Sequence, residues 1–325
     1  MTPKTISRPK YWRSVGVRVG GSVLILTLLL IKLPFRQVWA TMRNLSPWFG
    51  LALLFSYLTL HLVGIVKWRN LINAAGADLP FLQAIRCYYA GLFGNIFLPS
   101  LVGGDFVRAG IAFRQSRSKT AVVLGSLIDR VQDTIGLLAV TAIGAMLLPR
   151  ALDPKSRKVF VIVSMVLLVG SALGVGSMFV IPVRRFPYKV RRIMVRLRHG
   201  IRALYRRRGT VFVCFCLGMI LQVLLVAINF ELGEASGLHI PFYVWLFAWP
   251  LAKLSGLIPI TQGGIGVREV AMVGLLAPFG VPGALTAAVA LLFEAILISG
   301  GLIGGLIAFV IGRYTPKDRI KKLYG

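Results

Sequence analysis

Several stretches of this chain run for about twenty residues without a charged side chain, the length of helix that crosses a ~30 Å hydrocarbon core. Residues 48–66, 160–181 and 210–230 carry no Asp, Glu, Lys or Arg. A further apolar run covers residues 19–35, and two longer ones, 121–148 and 285–311, hold charges inside them. A backbone buried in lipid must satisfy its own hydrogen bonds, so runs of this length fold as helices. Composition agrees: 57% of residues are hydrophobic and only 15% charged, against about a quarter charged in soluble domains. The chain reads as an all-α, polytopic membrane protein with six spans. Residues 19–35 lack a closing small-residue cleavage site and read as an uncleaved first helix.

The charge is lopsided, with 38 basic and 10 acidic residues and a net charge of +28. In a soluble chain this would suggest nucleic acid. In a membrane chain it fits positively charged cytoplasmic loops and anionic lipid, and no nucleic acid is expected. Cys87, Cys214 and Cys216 are too few for a disulfide framework, and His61, His199 and His239 are far apart in sequence. No metal site and no cofactor is expected, and no histidine sits near the motifs described below.

Two segments, 81–98 and 242–258, are apolar but short or interrupted, and each runs into a proline and a glycine pair. If both crossed fully, residues 184–208, with eleven basic and no acidic residues, would lie outside. If both turn back as re-entrant hairpins, that stretch is cytoplasmic, the arrangement that the distribution of Lys and Arg strongly favours. Residues 149–158, with four basic residues, then fall outside, against the trend. Val190, Ile193, Leu197, Ile201 and Leu204 recur at helical spacing within the basic stretch. It reads as an amphipathic cytoplasmic linker helix resting on the anionic leaflet.

The two ambiguous segments share a pattern. Pro99-Ser-Leu-Val-Gly103-Gly104-Asp105-Phe-Val-Arg108 and Pro259-Ile-Thr-Gln262-Gly263-Gly264-Ile-Gly-Val-Arg268 both fit P-x-x-x-G-G-x-x-x-R. Each precedes a long helix that carries acidic residues. In the re-entrant topology, residues 48–148 and 210–311 form one transmembrane domain of two halves in opposite orientation, an inverted repeat of the kind transporters use. Proline ends a helix, and paired glycines admit a close backbone approach. Freed N–H groups at helix starts attract anions, and an arginine suits bidentate phosphate contact. The competing reading of each Gly-Gly pair is close helix packing.

Acidic residues in the membrane are expensive and mark cavities or partners. Asp129 and Asp133 share one helical face, while Arg130 lies about 100° round the helix. Asp129 and Arg130 would alternatively sit at the cytoplasmic interface. Glu294 is enclosed by apolar neighbours, with Arg130, Lys253 or Arg268 as candidate partners or proton coupling as its role. Asp105 is placed to pair with Arg108, and Lys253 is a further phosphate candidate. Asn95 and Gln262 would satisfy loose backbone in the hairpins, and Glu269 follows Arg268 in the second motif.

Three blocks resemble a known family: residues 89–108 (YAGLFGNIFLPSLVGGDFVR), 128–133 (IDRVQD) and 263–269 (GGIGVRE). They look like the lysylphosphatidylglycerol synthase transmembrane region, the flippase-like family also called UPF0104, over about residues 10–315. Asp129-Arg130 stands where members often show Glu-Arg, so the acid–arginine pair is kept with a shorter acid. The resemblance implies lipid translocation or an accessory role in lipid and glycan assembly, in the cell membrane. In multiple peptide resistance factors a similar region flips aminoacylated phosphatidylglycerol beside a soluble aminoacyl-transferase domain. That domain is expected to be absent here, so aminoacyl transfer is not expected.

The leading expectation is a non-enzymatic translocator of an anionic or phosphate-bearing lipid. Asn95, Gly103, Gly104, Asp105, Arg108, Lys253, Gln262, Gly263, Gly264, Arg268 and Glu269 would bind the headgroup, the two arginines reaching it from opposite sides of the membrane. Asp129, Arg130, Asp133 and Glu294 would line the path or couple protons. The alternatives are an intramembrane lipid enzyme, for which no nucleophile–base arrangement is visible, and an accessory subunit for a glycosyltransferase or lipid-modifying enzyme.

Overall fold

The computed structural model describes residues 45–98, 103–148, 188–256 and 266–314, together with Trp39 and Arg43; for 188–194 and 196 it describes the backbone alone. The expected helices at 19–35 and 160–181, the basic segment 149–158, both motif prolines, and Gln262, Gly263 and Gly264 lie outside the described residues. Within them the protein has nine α-helices and no strand: α1 (Pro47–Ala74), α2 (Phe81–Phe97), α3 (Gly103–Ala112), α4 (Lys119–Met146), α5 (Tyr188–Arg206), α6 (Arg208–Ala235), α7 (Phe242–Ser255), α8 (Val267–Leu276) and α9 (Gly283–Tyr314).

Helices α1, α6 and α9 are long and apolar enough to cross a membrane. Helix α4 has the same 28 residues as α1 but is interrupted by Asp129, Arg130 and Asp133. At 1.5 Å per residue, α2 and α7 reach only ~25 and ~21 Å, and α3 and α8 about 15 Å, all short of the ~30 Å core.

The order long, short, short, long occurs twice, as α1–α4 and as α6–α9. The first helix of each set ends in the same way. After α1 the chain turns through Gly76 (φ +99°), and the Ala77 N–H donates back to the Ile72 carbonyl at 3.0 Å. After α6 it turns through Gly237 (φ +85°), and the Leu238 N–H donates to the Gly233 carbonyl at 2.9 Å. Both are glycine-terminated helix ends in which the positive φ is open to glycine without steric penalty.

Packing crosses between the sets. Helix α2 packs chiefly on α9, α7 packs chiefly on α4, and α1 lies along α6. Small residues make these approaches possible. A Cβ at Gly144 of α4 would stand 2.8 Å from the Leu246 carbonyl carbon and 2.9 Å from the Tyr243 oxygen of α7. On α9, Gly301, Gly304 and Gly305 receive Ile96, Tyr89 and Phe93 of α2. Backbones that meet this closely gain dispersion contacts where no hydrophobic drive separates helix from lipid. Helix α5 rests on α4, α1 and α6, with Leu204 buried and Leu197 and Ile201 half-buried against the core.

Candidate functional site

Every helix except α5 contributes to one cavity of about 200 Å³. Arg108 (α3), Arg130 and Asp133 (α4), Lys253 (α7), Arg268 (α8) and Glu294 (α9) line it. Polar and aromatic side chains come from Tyr57, His61, Tyr88, Asn95, Gln222 and Trp249, and an apolar wall from Leu92, Ile96, Leu137, Leu221, Leu225 and Phe293. Four cations and two carboxylates therefore share a small space inside an apolar bundle. The two motif arginines, 160 residues apart in sequence, stand on the wall of the same cavity.

The first hairpin is built to carry Arg108. Asn95, near the end of α2, accepts the Gly104 N–H at 2.8 Å on its Oδ1, and so caps an open donor at the start of α3. A Cβ at Gly104 would collide with the Gly91 carbonyl and with Asn95, and one at Gly103 with Leu98. These glycines are required by the close crossing of α2 and α3, and Asn95 serves as a cap while lining the cavity. Asp105 and Arg108 sit one turn apart on α3 and pair at 3.0 Å. The Arg108 guanidinium, 5% exposed, lies 4.6 Å over the Trp68 ring and donates to Asp129 Oδ2 at 3.0 Å.

The charges extend into a network. Arg130 also pairs with Asp105, and Lys67 of α1 pairs with Asp133 and, at 2.9 Å, with Asp129. Three cations (Lys67, Arg108, Arg130) thus face three carboxylates (Asp105, Asp129, Asp133). A buried charge is tolerable only when paired and hydrogen-bonded, and here each has a partner of opposite sign. Asp129 is 3% exposed, so it lies within the packed bundle rather than in solvent.

The second half is simpler. Arg268 pairs with Glu294 across α8 and α9, one of the three partners considered for that acid. Glu269 reaches back so that its carboxylate accepts the Gly266 N–H at 2.6 Å, which caps α8. Lys253 donates to Gln222 Oε1 at 2.9 Å and lies 4.9 Å over the Trp249 ring. A smaller adjoining cavity of about 30 Å³ touches Trp245, Lys253, Arg268, Glu269 and Glu294.

Sequence reasoning passed over several of these groups. Lys67 looked like the first loop residue after a span ending at 66, but α1 continues to Ala74 and buries it. Room for its stem comes from Gly218 on α6, where a Cβ would meet Lys67 Cε at 3.1 Å. The statement that no histidine sits near the motifs is corrected: His61 is buried on the cavity wall, brought there by the packing of α1. Its Nδ1 lies 3.4 Å from the Tyr88 hydroxyl. Among the described residues no group of three or more His, Cys, Asp or Glu is placed to hold a metal ion.

The sequence is similar to that of known membrane proteins. An 83-residue stretch is 34% identical to a UPF0104 membrane protein of Methanothermobacter thermautotrophicus (strain ATCC 29096 / DSM 1053 / JCM 10044 / NBRC 100330 / Delta H), covering 26% of this chain and 24% of that relative. The family profile described as the lysylphosphatidylglycerol synthase TM region matches residues 14–305, which include the whole charged cavity. By that match, extending over most of its length, the chain belongs to the lysylphosphatidylglycerol synthase TM region family.

Proposed function

We propose that this protein moves an anionic or phosphate-bearing lipid across the bilayer and performs no catalytic step. The observation that carries the reading is the 200 Å³ cavity, whose four cations and two carboxylates share an apolar wall to which the membrane-length helices α1, α6 and α9 contribute. Pockets that enclose a whole drug-sized ligand measure roughly 300–1,000 Å³. A cavity of 200 Å³ takes a headgroup and leaves the acyl chains in the bilayer.

The path would follow from an inverted repeat. In this reading α2–α3 and α7–α8 are re-entrant hairpins entering from opposite faces of the membrane, and both termini are cytoplasmic. Support comes from the repeated order of helix lengths, the matched glycine turns after α1 and α6, and the crossed packing of α2 on α9 and α7 on α4. Arg108 and Arg268, which line the same cavity, would then meet the headgroup from the two sides as the halves rock. The basic helix α5 would lie on the cytoplasmic leaflet of the cell membrane, where anionic lipid is drawn to it.

The test is movement of a fluorescent anionic lipid between leaflets of liposomes holding the purified protein. Wild type is expected to move it faster than protein-free liposomes. The Arg268→Ala/Glu294→Ala variant, which removes a cavity pair without leaving one charge alone, is expected to move it more slowly. Equal rates for wild type and empty liposomes, with this and other anionic lipids, would overturn the reading.

A further inference from the structure

The Arg268–Glu294 pair borders two cavities. Together with Trp249, Lys253 and Phe293 it lines both the one of about 200 Å³ and the adjoining one of about 30 Å³. Asn229, Trp245 and Glu269 line the smaller one only. Four helices therefore meet there: Asn229 is on α6, Trp245 and Lys253 on α7, Arg268 and Glu269 on α8, and Glu294 on α9.

Two donors on this wall are unused. Trp245 Nε1 and Arg268 Nε are buried and have no hydrogen-bond partner among the described residues. Trp245 as a whole is 0% exposed. A buried N–H without an acceptor is costly, and native interiors almost always give it one. Acceptors are at hand. Glu294 takes Arg268 on its Oε2, and Asn229 donates through Nδ2 to the Leu225 carbonyl, which leaves Glu294 Oε1 and Asn229 Oδ1 to accept. Size and charge then select the occupant. A water needs roughly 10–15 Å³ of such space and takes up about 30 Å³ in the liquid. The smaller cavity has room for one. Its formal charges balance, Lys253 and Arg268 against Glu269 and Glu294, so a neutral occupant fits and an added ion does not. Cavities that stay dry are apolar, and this one is not.

We infer that the smaller cavity is a binding site for one ordered water, which accepts from Trp245 Nε1–H and Arg268 Nε–H and donates to Glu294 Oε1 and Asn229 Oδ1. Such a water makes its full set of hydrogen bonds and joins α6, α7, α8 and α9 at a single point. It also fixes Arg268 through Nε while Nη2 holds Glu294, and so sets where the guanidinium meets the larger cavity. The first four helices are tied by three cations and three carboxylates. Among the described residues the second four have one buried ion pair, and the water supplies the remaining ties. The site stands apart from lipid movement and does not depend on it.

X-ray radiolytic labelling of the detergent-purified full chain, read by mass spectrometry, tests this, because a bound water yields hydroxyl radicals where bulk water does not reach. Met272 lines the smaller cavity and is 5% exposed. It is expected to be oxidised in wild type in spite of that burial, and an unlabelled Met272 overturns the site. Ala252→Val puts two methyl groups on the cavity wall and is expected to displace the water and remove most of the Met272 label. Wild-type labelling in Ala252→Val, with a size-exclusion profile that matches wild type, overturns the site, since the radicals then come from elsewhere. A second measurement decides the matter where Ala252→Val does not fold. The ultraviolet resonance Raman spectrum of wild type minus that of Trp245→Phe isolates the Trp245 indole. Its N–H bending band is expected at the position of an indole hydrogen-bonded in water. A band at the position of an indole in alkane overturns the site.

Discussion

Lys67 Nζ of α1 lies 2.9 Å from Asp129 Oδ1 of α4, and both side chains are almost wholly buried, 2% and 5% exposed. The pair ties two of the four long helices together. It is also the point where three carboxylates and three cations close into one network. Removing one partner leaves a charge uncompensated in the interior, at about 3–5 kcal/mol. Lys67→Met is therefore expected to lower unfolding free energy in detergent by about 3 kcal/mol, as measured by denaturant titration. A loss below about 1 kcal/mol would mean that the remaining network rearranges to neutralise the aspartates.

Arg268 and Glu294 form a direct pair outside the Lys67–Arg108–Arg130 network, so their coupling is measurable. Each single neutralisation, Arg268→Gln or Glu294→Gln, is expected to destabilise more than the double variant does. The double-mutant cycle should give an interaction energy of roughly 0.5–3 kcal/mol. Additive effects would contradict the contact between α8 and α9.

Gly144 sits where α4 meets the backbone of α7. Gly144→Ala would set a methyl group 2.8 Å from a carbonyl carbon, and only separation of the two helices relieves that. A loss of about 1–3 kcal/mol is expected. Gly274→Ala on α8 meets nothing within 4 Å and serves as the control, expected to be neutral or slightly stabilising in the same thermal scan.

Asn95→Ala removes the acceptor for the Gly104 N–H at the start of α3. The expected cost is about 1–2 kcal/mol, with the unsatisfied donor supplying most of it. Asn95→Asp, which keeps the acceptor, should restore part of this unless its charge meets the nearby Asp105. Unchanged stability in Asn95→Ala would show that the start of α3 is satisfied in some other way.

Much of the architecture was legible because hydropathy has a length scale. The long helices coincide with apolar runs, and α2, α3, α7 and α8 follow from prolines and glycines that interrupt shorter ones. Arg108 and Arg268 stood out because each closes a copy of the repeated P-x-x-x-G-G-x-x-x-R pattern, and the Asp105–Arg108 pair follows from helical spacing. Lys67 did not stand out. A lysine at the end of a hydropathic run looks like a loop residue, and only the packing of Gly218 against its stem shows that the helix continues past it. His61, Tyr57 and Tyr88 were hidden for another reason: hydropathy cannot tell a side chain facing lipid from one facing a cavity. The hydrogen bond of Lys253 to Gln222 of α6 was also invisible, because it joins residues 31 apart in sequence.

The crossed seating of α2 on α9 has a consequence during synthesis. Phe97 leaves the ribosome well before Gly283, the first residue of the helix on which its own helix rests. At about 5–20 residues per second, the early hairpin waits roughly ten seconds or more for its seat. Until then the surface that receives Gly301, Gly304 and Gly305, including Tyr89, Phe93 and Ile96, faces lipid or the insertion machinery. The first half of this protein must therefore be held, unfinished, until the last helix arrives. Defects in α9 would be felt as failed assembly of a hairpin made long before it.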